Sequence, residues 1–517
     1  MTTLRAQVWG RRFALAYLAA AAWLLYRVAS VYDPSTGLTP LMFFGDRFAP
    51  SRLPRLRDVP IHTYPRSTGY DGQFYGQIAV AGNPFDPELG TALDSPAYRD
   101  RRILMPAVAH VVGLGRPAWA LGAYAWTNVV CWLLLAWAAA RWWFPPENLH
   151  NLVRWVGTML GAGMVVSVGR SLTDGPSLLV IAAGVRAVEL GRRWLGAGVL
   201  AAAGLVRETS VLAAGVFVPP AERGARAWRR GLLAAAVVAA PTALWIAILS
   251  AHFGGITSGA LGLPGTGFAR ECRKIFEIVR GRGLLAAKED LFVVVATVVQ
   301  VAFLLSRRRP GPWWRVGAAF AVLAFFLGWG FWDDALSGVP RTLLPLALAF
   351  NVLAPRTRRG LALLLAGNLT VLSAATVLDV VPCSSDNLPE GVTAEFGAGF
   401  YALERSWRRS WRWSSGPASL RLHNPNAEPR RATLEGELIS ETDRSVTIAA
   451  PGARQVVTLP AHRRVSLRFG PFPLPPGDTT VTFDTAEPPW PEPGPGGRAL
   501  AFSLRQMRLG MTGAGTP

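Results

Sequence analysis

The sequence predicts a polytopic α-helical membrane protein that closes in an all-β domain, and three observations predict it. Hydrophobic residues fill 51% of 517 positions, with a mean hydropathy of +0.27, which is more apolar surface than one soluble core normally buries. Those residues are gathered into runs approaching the about 20 residues that cross a bilayer as a helix. After Val381 the runs stop, and short alternating segments divided by Pro, Gly, Asn and Asp take their place.

The first run, Phe13 to Val31, follows Arg5, Arg11 and Arg12, which hold the N-terminus on the cytoplasmic side. It lacks a small-residue cleavage site and other runs follow, so an uncleaved first helix is expected rather than a removed leader. The later runs are 117–140, 153–169, 176–190, 194–206, 209–218, 231–251, 290–306, 313–332, 341–354 and 361–381. Together they make about eleven expected spans. Several are shorter than a full crossing, 209–218 above all, and are expected to be tilted, broken or re-entrant.

Alternating the spans places Arg141 and Arg154, Arg192 and Arg193, Arg223 to Arg230, Arg307 to Arg309, and Arg356 to Arg359 all inside. The same alternation leaves residues 32–102, 252–289, 332–340 and everything after about 382 outside. The formal net charge of +20 and the isoelectric point of 11.1 would suggest nucleic acid in a soluble protein. Here the arginines sit in short loops between apolar runs, so membrane lipids and not nucleic acid are the expected partner. Gly157 and Gly161 form one GxxxG, read as helix packing.

The expected organisation is a helical membrane domain over 1–381, with juxtamembrane helices in the outer loop 32–102, and a connector over 382–415. A periplasmic β-sandwich over 416–511 and a tail over 512–517 complete it. The sandwich rests on Ser419–His423, Ala432–Ile439, Ser445–Ala449, Val456–Leu459, Val465–Phe469 and Thr480–Phe483. Tyr401, Trp407, Trp411 and Trp413 precede it; such rings either stack on sugars or sit at a membrane interface, and a docking or acceptor-positioning module is the favoured reading. Of three cysteines none forms CxxC, so a structural zinc site is not expected. Cys272 and Cys383 both fall outside, where they pair as a disulfide or remain thiols according to the distance between their Cα atoms.

The first outer loop carries Tyr70-Asp71-Gly72-Gln73-Phe74-Tyr75-Gly76-Gln77-Ile78-Ala79, and then Tyr98-Arg99-Asp100-Arg101-Arg102-Ile103-Leu104-Met105-Pro106. As a helix, the first segment sets Asp71, Tyr75 and Ile78 along one face. In the second, Arg99 and Arg102 share a face and could clamp one phosphate or carboxylate. The alternatives are an interfacial amphipathic helix for the first segment and headgroup contacts for the second. Asp174, the neighbours Arg207 and Glu208, and Arg341 beside Asp333 and Asp334 fall at the outer ends of apolar runs. Charges there face a polar cavity or pair with one another, and Arg207 and Glu208, being adjacent, look to other partners.

The string YDGQFYGQIA after a first apolar helix, followed by YR..RI..P, resembles the first outer loop of the GT-C superfamily of glycosyltransferases. The similarity is to the mannosyltransferase-like branch, including bacterial members of no assigned role, and its specific part is this loop. The resemblance implies a GT-C-like fold over residues 10–381 and transfer of a sugar, with inversion, from a polyprenyl-phosphate-linked donor. The acceptor would be a glycan, lipid or protein at the outer face of the bacterial inner membrane. It implies that Asp71 acts as general base, and, by location only, that Asp174, Arg207, Glu208 and Arg341 belong to the site with Tyr75, while Arg99, Arg102 and Arg341 hold the donor phosphate. Two departures stand out: Tyr70 occupies a place where Trp is common, and no second acidic residue adjoins Asp71. A DxD arrangement is therefore absent and a divalent metal, though compatible with the chemistry, has no motif behind it.

HExxH, GxSxG, Walker and GxGxxG motifs are not found. Two other classes compete with an enzyme. A non-catalytic component of cell-surface polysaccharide assembly or export would share the topology; a transporter would carry its charges near the midplane of repeated helices, and no repeat is found.

Overall fold

The computed structural model describes residues 2–32, 36–45, 48–64, 67–219, 224–254, 261–306, 311–377, 392–406, 409–492 and 497–513. The chain divides into two compact units, Met1–Ser30 with Asp71–Asp379, and Val31–Tyr70 with Val380–Pro517.

The first unit is helical. Among the described residues four helices are long and apolar enough to cross a membrane: Arg11–Ala29, Pro117–Trp142, Ala225–Phe253 and Leu284–Ser306. Half of the apolar window of Pro117–Trp142 is buried by the protein, against 22% for Ala225–Phe253, so the former is the more central. The latter turns Leu232, Leu233 and Leu244 outward, a surface that only lipid satisfies over such a length.

Three bent pairs of helices are long and apolar enough only when taken together, as broken spans or re-entrant loops: Leu149–Met159 with Ala162–Gly169 at 43°, Leu336–Thr342 with Leu344–Leu353 at 60°, and Arg358–Gly367 with Leu369–Thr376 at 45°. Each bend has a local cause. Gly161 leaves the helix at the first break, Pro345 follows the second, and Asn368 caps the helix before the third with its amide donating to the Leu364 carbonyl. The Asn368 side chain packs where a Cβ on Gly157 would stand, so the GxxxG glycine serves close packing.

Among the described residues four helices, or up to seven spans if each bent pair is one, are long and apolar enough to cross, so the about eleven spans expected from apolar runs are not all confirmed. The difference lies in 176–190, 194–206, 209–218 and 313–332. These form Asp174–Glu189 (16 residues), Arg193–Val206 (14), a 3-10 helix Glu208–Phe217 (10) and Pro312–Phe326 (15). At 1.5 Å per residue for the α-helices and about 2.0 Å for the 3-10 helix they reach about 20–24 Å, short of the roughly 30 Å hydrocarbon core. Part of their apolar surface, Ile181, Val185, Leu200 and Val216 among it, is buried by protein, while Trp194, Leu195, Val322 and Phe325 stay exposed.

The loop helix Asp71–Ala81 forms where the sequence places it, and Gly72 through Ala81 are all buried. This overturns the reading of 70–79 as an interfacial amphipathic helix, which would keep an exposed face. The helix packs on Leu104–Val112 and Pro117–Trp142.

Among the described residues the second unit is all-β but for short 3-10 turns. Strands β1 (Phe44–Gly45) and β2 (Thr63–Tyr64) form a parallel pair. The following strands are β3 (Thr393–Phe396), β4 (Glu404–Ser406), β5 (Arg409–Trp413), β6 (Ala418–Asn424), β7 (Arg430–Ile439), β8 (Arg444–Ala450) and β9 (Ala453–Leu459). Next come β10 (Val465–Leu474), β11 (Gly477–Asp484), β12 (Trp490–Pro491), β13 (Ala499–Leu500) and β14 (Ser503–Gly513). They build two five-stranded antiparallel sheets, β10-β7-β14-β5-β4 and β3-β6-β11-β8-β9. Alternate residues of both sheets, such as Leu420, Leu422, Leu434, Leu438, Ile448 and Phe483, enter one core, each large side chain contributing about 1.5–3 kcal/mol by burial.

Strands β3 to β5 lie inside the stretch 382–415 expected to be a connector, so folded sheet begins there by Thr393. The alternation of β5 is hidden because Arg or Trp stands at four of its five positions. Trp413 is buried, and Trp411 donates to the Glu404 carboxylate at 3.0 Å with the Arg505 guanidinium over its ring. Trp407 lies outside the described residues, as does Cys383. Cys272, the other cysteine of that possible pair, is exposed.

Candidate functional site

Asp71 is the first residue of the loop helix, where the unpaired N–H groups of the first turn favour a carboxylate. Fifteen residues beyond that helix's end the chain is turned by Pro96–Arg99 and the 3-10 turn Asp100–Arg102, which buries Arg99 and Arg102. Asp174 opens Asp174–Glu189 and is 2% exposed. Arg207 caps the C-terminus of Arg193–Val206 in extended conformation, φ −153° and ψ 125°. Because the backbone is extended there, Arg207 and its neighbour Glu208 point to different partners. Arg341 lies in the short helix Ala335–Thr342.

These side chains meet in one buried ionic lattice. Each oxygen of Asp71 holds one guanidinium: Oδ1 that of Arg99 at 2.8 Å, Oδ2 that of Arg341 at 3.2 Å. Arg341 also approaches Asp174 at 3.8 Å, and Arg207 closes on the other Asp174 oxygen. Arg207 donates further to Thr342 Oγ1 at 3.0 Å. Arg102 forms a two-pronged pair with Glu208, 2.9 Å on both prongs, and donates to the hydroxyls of Tyr75 at 2.5 Å and Tyr98 at 3.0 Å.

All eight residues marked in the sequence thus converge, with one change in arrangement. Arg99 and Arg102 share no anion: Arg99 goes to Asp71 and Asp94, Arg102 to Glu208. Asp94, which takes two Arg99 nitrogens at 2.7 and 2.8 Å, and Tyr98 were not marked. Tyr98 does carry a signal, because at four residues before Arg102 it lies on the same helical face. Asp94 carries none, being held by a turn.

Burial pushes the Asp71 carboxyl up, but the guanidinium groups of Arg341, Arg99 and Arg102 outweigh it and hold it well below the usual carboxylate range. With four arginines set against Asp71, Asp94, Asp174 and Glu208, the lattice neutralises itself. Tyr124, whose hydroxyl donates to the Ser171 carbonyl at 3.0 Å, is buried in the same unit. Among the described residues no group of three or more His, Cys, Asp or Glu side chains converges as a metal site would.

Asp100, flanked by Arg99 and Arg101 in sequence, is fully buried and neither of its side-chain oxygens has a hydrogen-bond partner. Burial alone pushes its carboxyl from 3.8 up to about 8. A raised acid pKa means the folded chain holds a proton that the unfolded chain releases above pH 4, so this residue's contribution to stability declines between pH 4 and 8. Asp100→Asn is expected to remove that decline and to stabilise the chain by about 1–3 kcal/mol at pH 8. Thermal unfolding of both chains across that pH range in detergent checks it.

No protein-family model matches the chain, and no curated protein matches it. Two solved structures show remote likeness. One is the arabinosyltransferase EmbB from Mycobacterium smegmatis, at 11% identity over 85% of this chain and 64% of that one, with a TM-score of 0.24. The other is a ruminal GH26 endo-beta-1,4-mannanase, at 17% identity over 23% of this chain and 20% of that one, with a TM-score of 0.14. The chain therefore spans less than two thirds of either, and TM-scores this low carry no argument for a shared fold or activity.

Proposed function

We propose that the chain is a membrane-embedded glycosyltransferase that moves a sugar from a polyprenyl-phosphate-linked donor to a glycan, lipid or protein acceptor, with inversion. The observation that carries this reading is the convergence on Asp71 of arginines brought from 28 and 270 residues away in sequence, in a lattice that is largely buried while Asp71 keeps 19% of its side chain exposed. Transfer needs two things such a lattice supplies: a carboxylate for the acceptor proton and fixed cations for the phosphate that departs.

In the proposed step the acceptor oxygen attacks the anomeric carbon, the bond from that carbon to the phosphate oxygen breaks, and its electron pair leaves on the phosphate. The acceptor proton passes to Asp71. Arg99, Arg102 and Arg341 take the developing charge, and Tyr75 fixes Arg102. At rest the same arginines make Asp71 a poor base, since an acceptor of protons works best with a pKa near the working pH. A bound phosphate competes for Arg99 and Arg341 and so restores basicity to Asp71 when the donor is in place.

The saturation of every carboxylate by an arginine favours a second reading, in which the lattice is a structural brace in a non-catalytic component of polysaccharide assembly or export. Cells lacking the chain separate the two. A transferase predicts accumulation of one lipid-linked sugar and loss of that sugar from the surface glycan. An assembly partner predicts surface loss of whole polymer with no single donor accumulating.

A further inference from the structure

The helix Thr266–Arg282 lies between two candidate spans, Ala225–Phe253 and Leu284–Ser306, and is itself too polar to cross a membrane. One face is fixed to the protein. Ile275 and Glu271 are buried, Phe268 packs edge-on against Trp332, and Lys274 reaches Glu271 at 3.1 Å, Asp290 at 3.3 Å and the Asp333 carbonyl at 3.1 Å. Its lead-in is tied as well, because Gly262 and Gly265 donate to the carbonyls of Phe326 and Phe325. The orientation of the opposite face is therefore set.

That opposite face carries Arg270, Arg273 and Arg280, all exposed, and none of the three has an ion-pair partner among the described residues. Glu277 is the one acid beside them, leaving a net charge of +2. Arg273, Phe276 and Arg280 are spaced by three and four and so form one stripe, with Phe276 65% exposed between two guanidinium groups. Leu263 before the helix and Leu284 and Leu285 after it are also exposed, Leu285 at 83%. Large apolar side chains interleaved with arginine, on a segment joining the ends of two spans, match the interfacial layer of a bilayer, where apolar tips enter the acyl boundary and cations meet phosphate.

We propose that Thr266–Arg282 is an in-plane helix whose Arg270, Arg273 and Arg280 bind the phosphodiester headgroups of anionic phospholipids, with Phe276 seated at the acyl boundary. The proposal is independent of the transferase reading. The test uses the full chain with Cys272, exposed on the same helix, as its sole cysteine (Cys131→Ala, Cys383→Ser) and labelled with a polarity-sensitive dye. It is placed in nanodiscs of phosphatidylcholine with or without phosphatidylglycerol. The expected result is a blue-shifted emission and a severalfold lower rate of iodide quenching in discs containing phosphatidylglycerol. That difference should be lost in the Arg270→Gln, Arg273→Gln, Arg280→Gln chain with its unfolding temperature unchanged. Equal iodide quenching in both lipids overturns the proposal, as does a triple variant that keeps the full response to phosphatidylglycerol.

Discussion

Asp71→Asn is expected to slow sugar transfer by about 10²–10⁴-fold, the range a positioned general base supplies, while the chain still folds. The fold survives because each arginine on Asp71 keeps a second carboxylate: Arg99 retains Asp94 at 2.7 Å, and Arg341 retains Asp174 at 3.8 Å. Losing the anion also frees both arginines for the donor phosphate, so KM for the donor should fall while kcat falls. A brace with no chemical role would give neither effect. The pH profile adds a sign. In the free protein the arginines hold Asp71 well below the usual range, and donor phosphate draws them off, so the acid limb of kcat should lie at higher pH than that of kcat/KM. Steady-state rates over pH with wild type, Asp71→Asn and Asp71→Glu check all three, the glutamate variant retaining a base but one carbon too far forward.

Arg207→Met carries the largest expected cost in stability, about 3–5 kcal/mol, because it strands Asp174 in the most enclosed part of the lattice. The Asp174 side chain is 1% exposed and that of Arg207 5%. What remains for Asp174 is Arg341 at 3.8 Å, beyond good hydrogen-bonding distance. Removing both charges in Arg207→Met with Asp174→Asn should recover most of the loss, since two neutral groups of similar volume need no mutual compensation. Unfolding of the two single variants and the double in one detergent gives the coupling energy; additive effects would mean that the pair is not the source of the cost.

What was legible in the sequence is the chemistry of isolated charges in apolar surroundings. Asp174, Arg207, Glu208 and Arg341 stand out because a charge at the end of an apolar run needs a partner, and Asp71 stands out in the string of the first outer loop; Arg207 pairs with Asp174, Arg341 with Asp71 and Glu208 with Arg102. The pairing itself was not legible. Arg99 and Arg102 look like one clamp by spacing, yet the turn at Pro96 and the change to 3-10 geometry at Asp100 rotate them onto different carboxylates. Asp100 gives no sign of its burial in a run of charges. The span count is left unconfirmed for a related reason: much of Asp174–Glu189 is buried by other helices, and an apolar run does not record whether lipid or protein covers it. In the β unit, Leu420, Leu422 and Phe483 alternate cleanly and were readable, whereas β5 puts Arg or Trp at four of five positions and was not.

The most direct test of the transferase account is made with the purified chain in nanodiscs, given a polyprenyl-phosphate-linked radiolabelled sugar and an acceptor extract from cells lacking the protein. The account predicts time-dependent release of the polyprenyl phosphate with the label moving to acceptor, reduced at least about 10²-fold by Asp71→Asn at equal folded amount. Full transfer by the Asp71→Asn chain would contradict it.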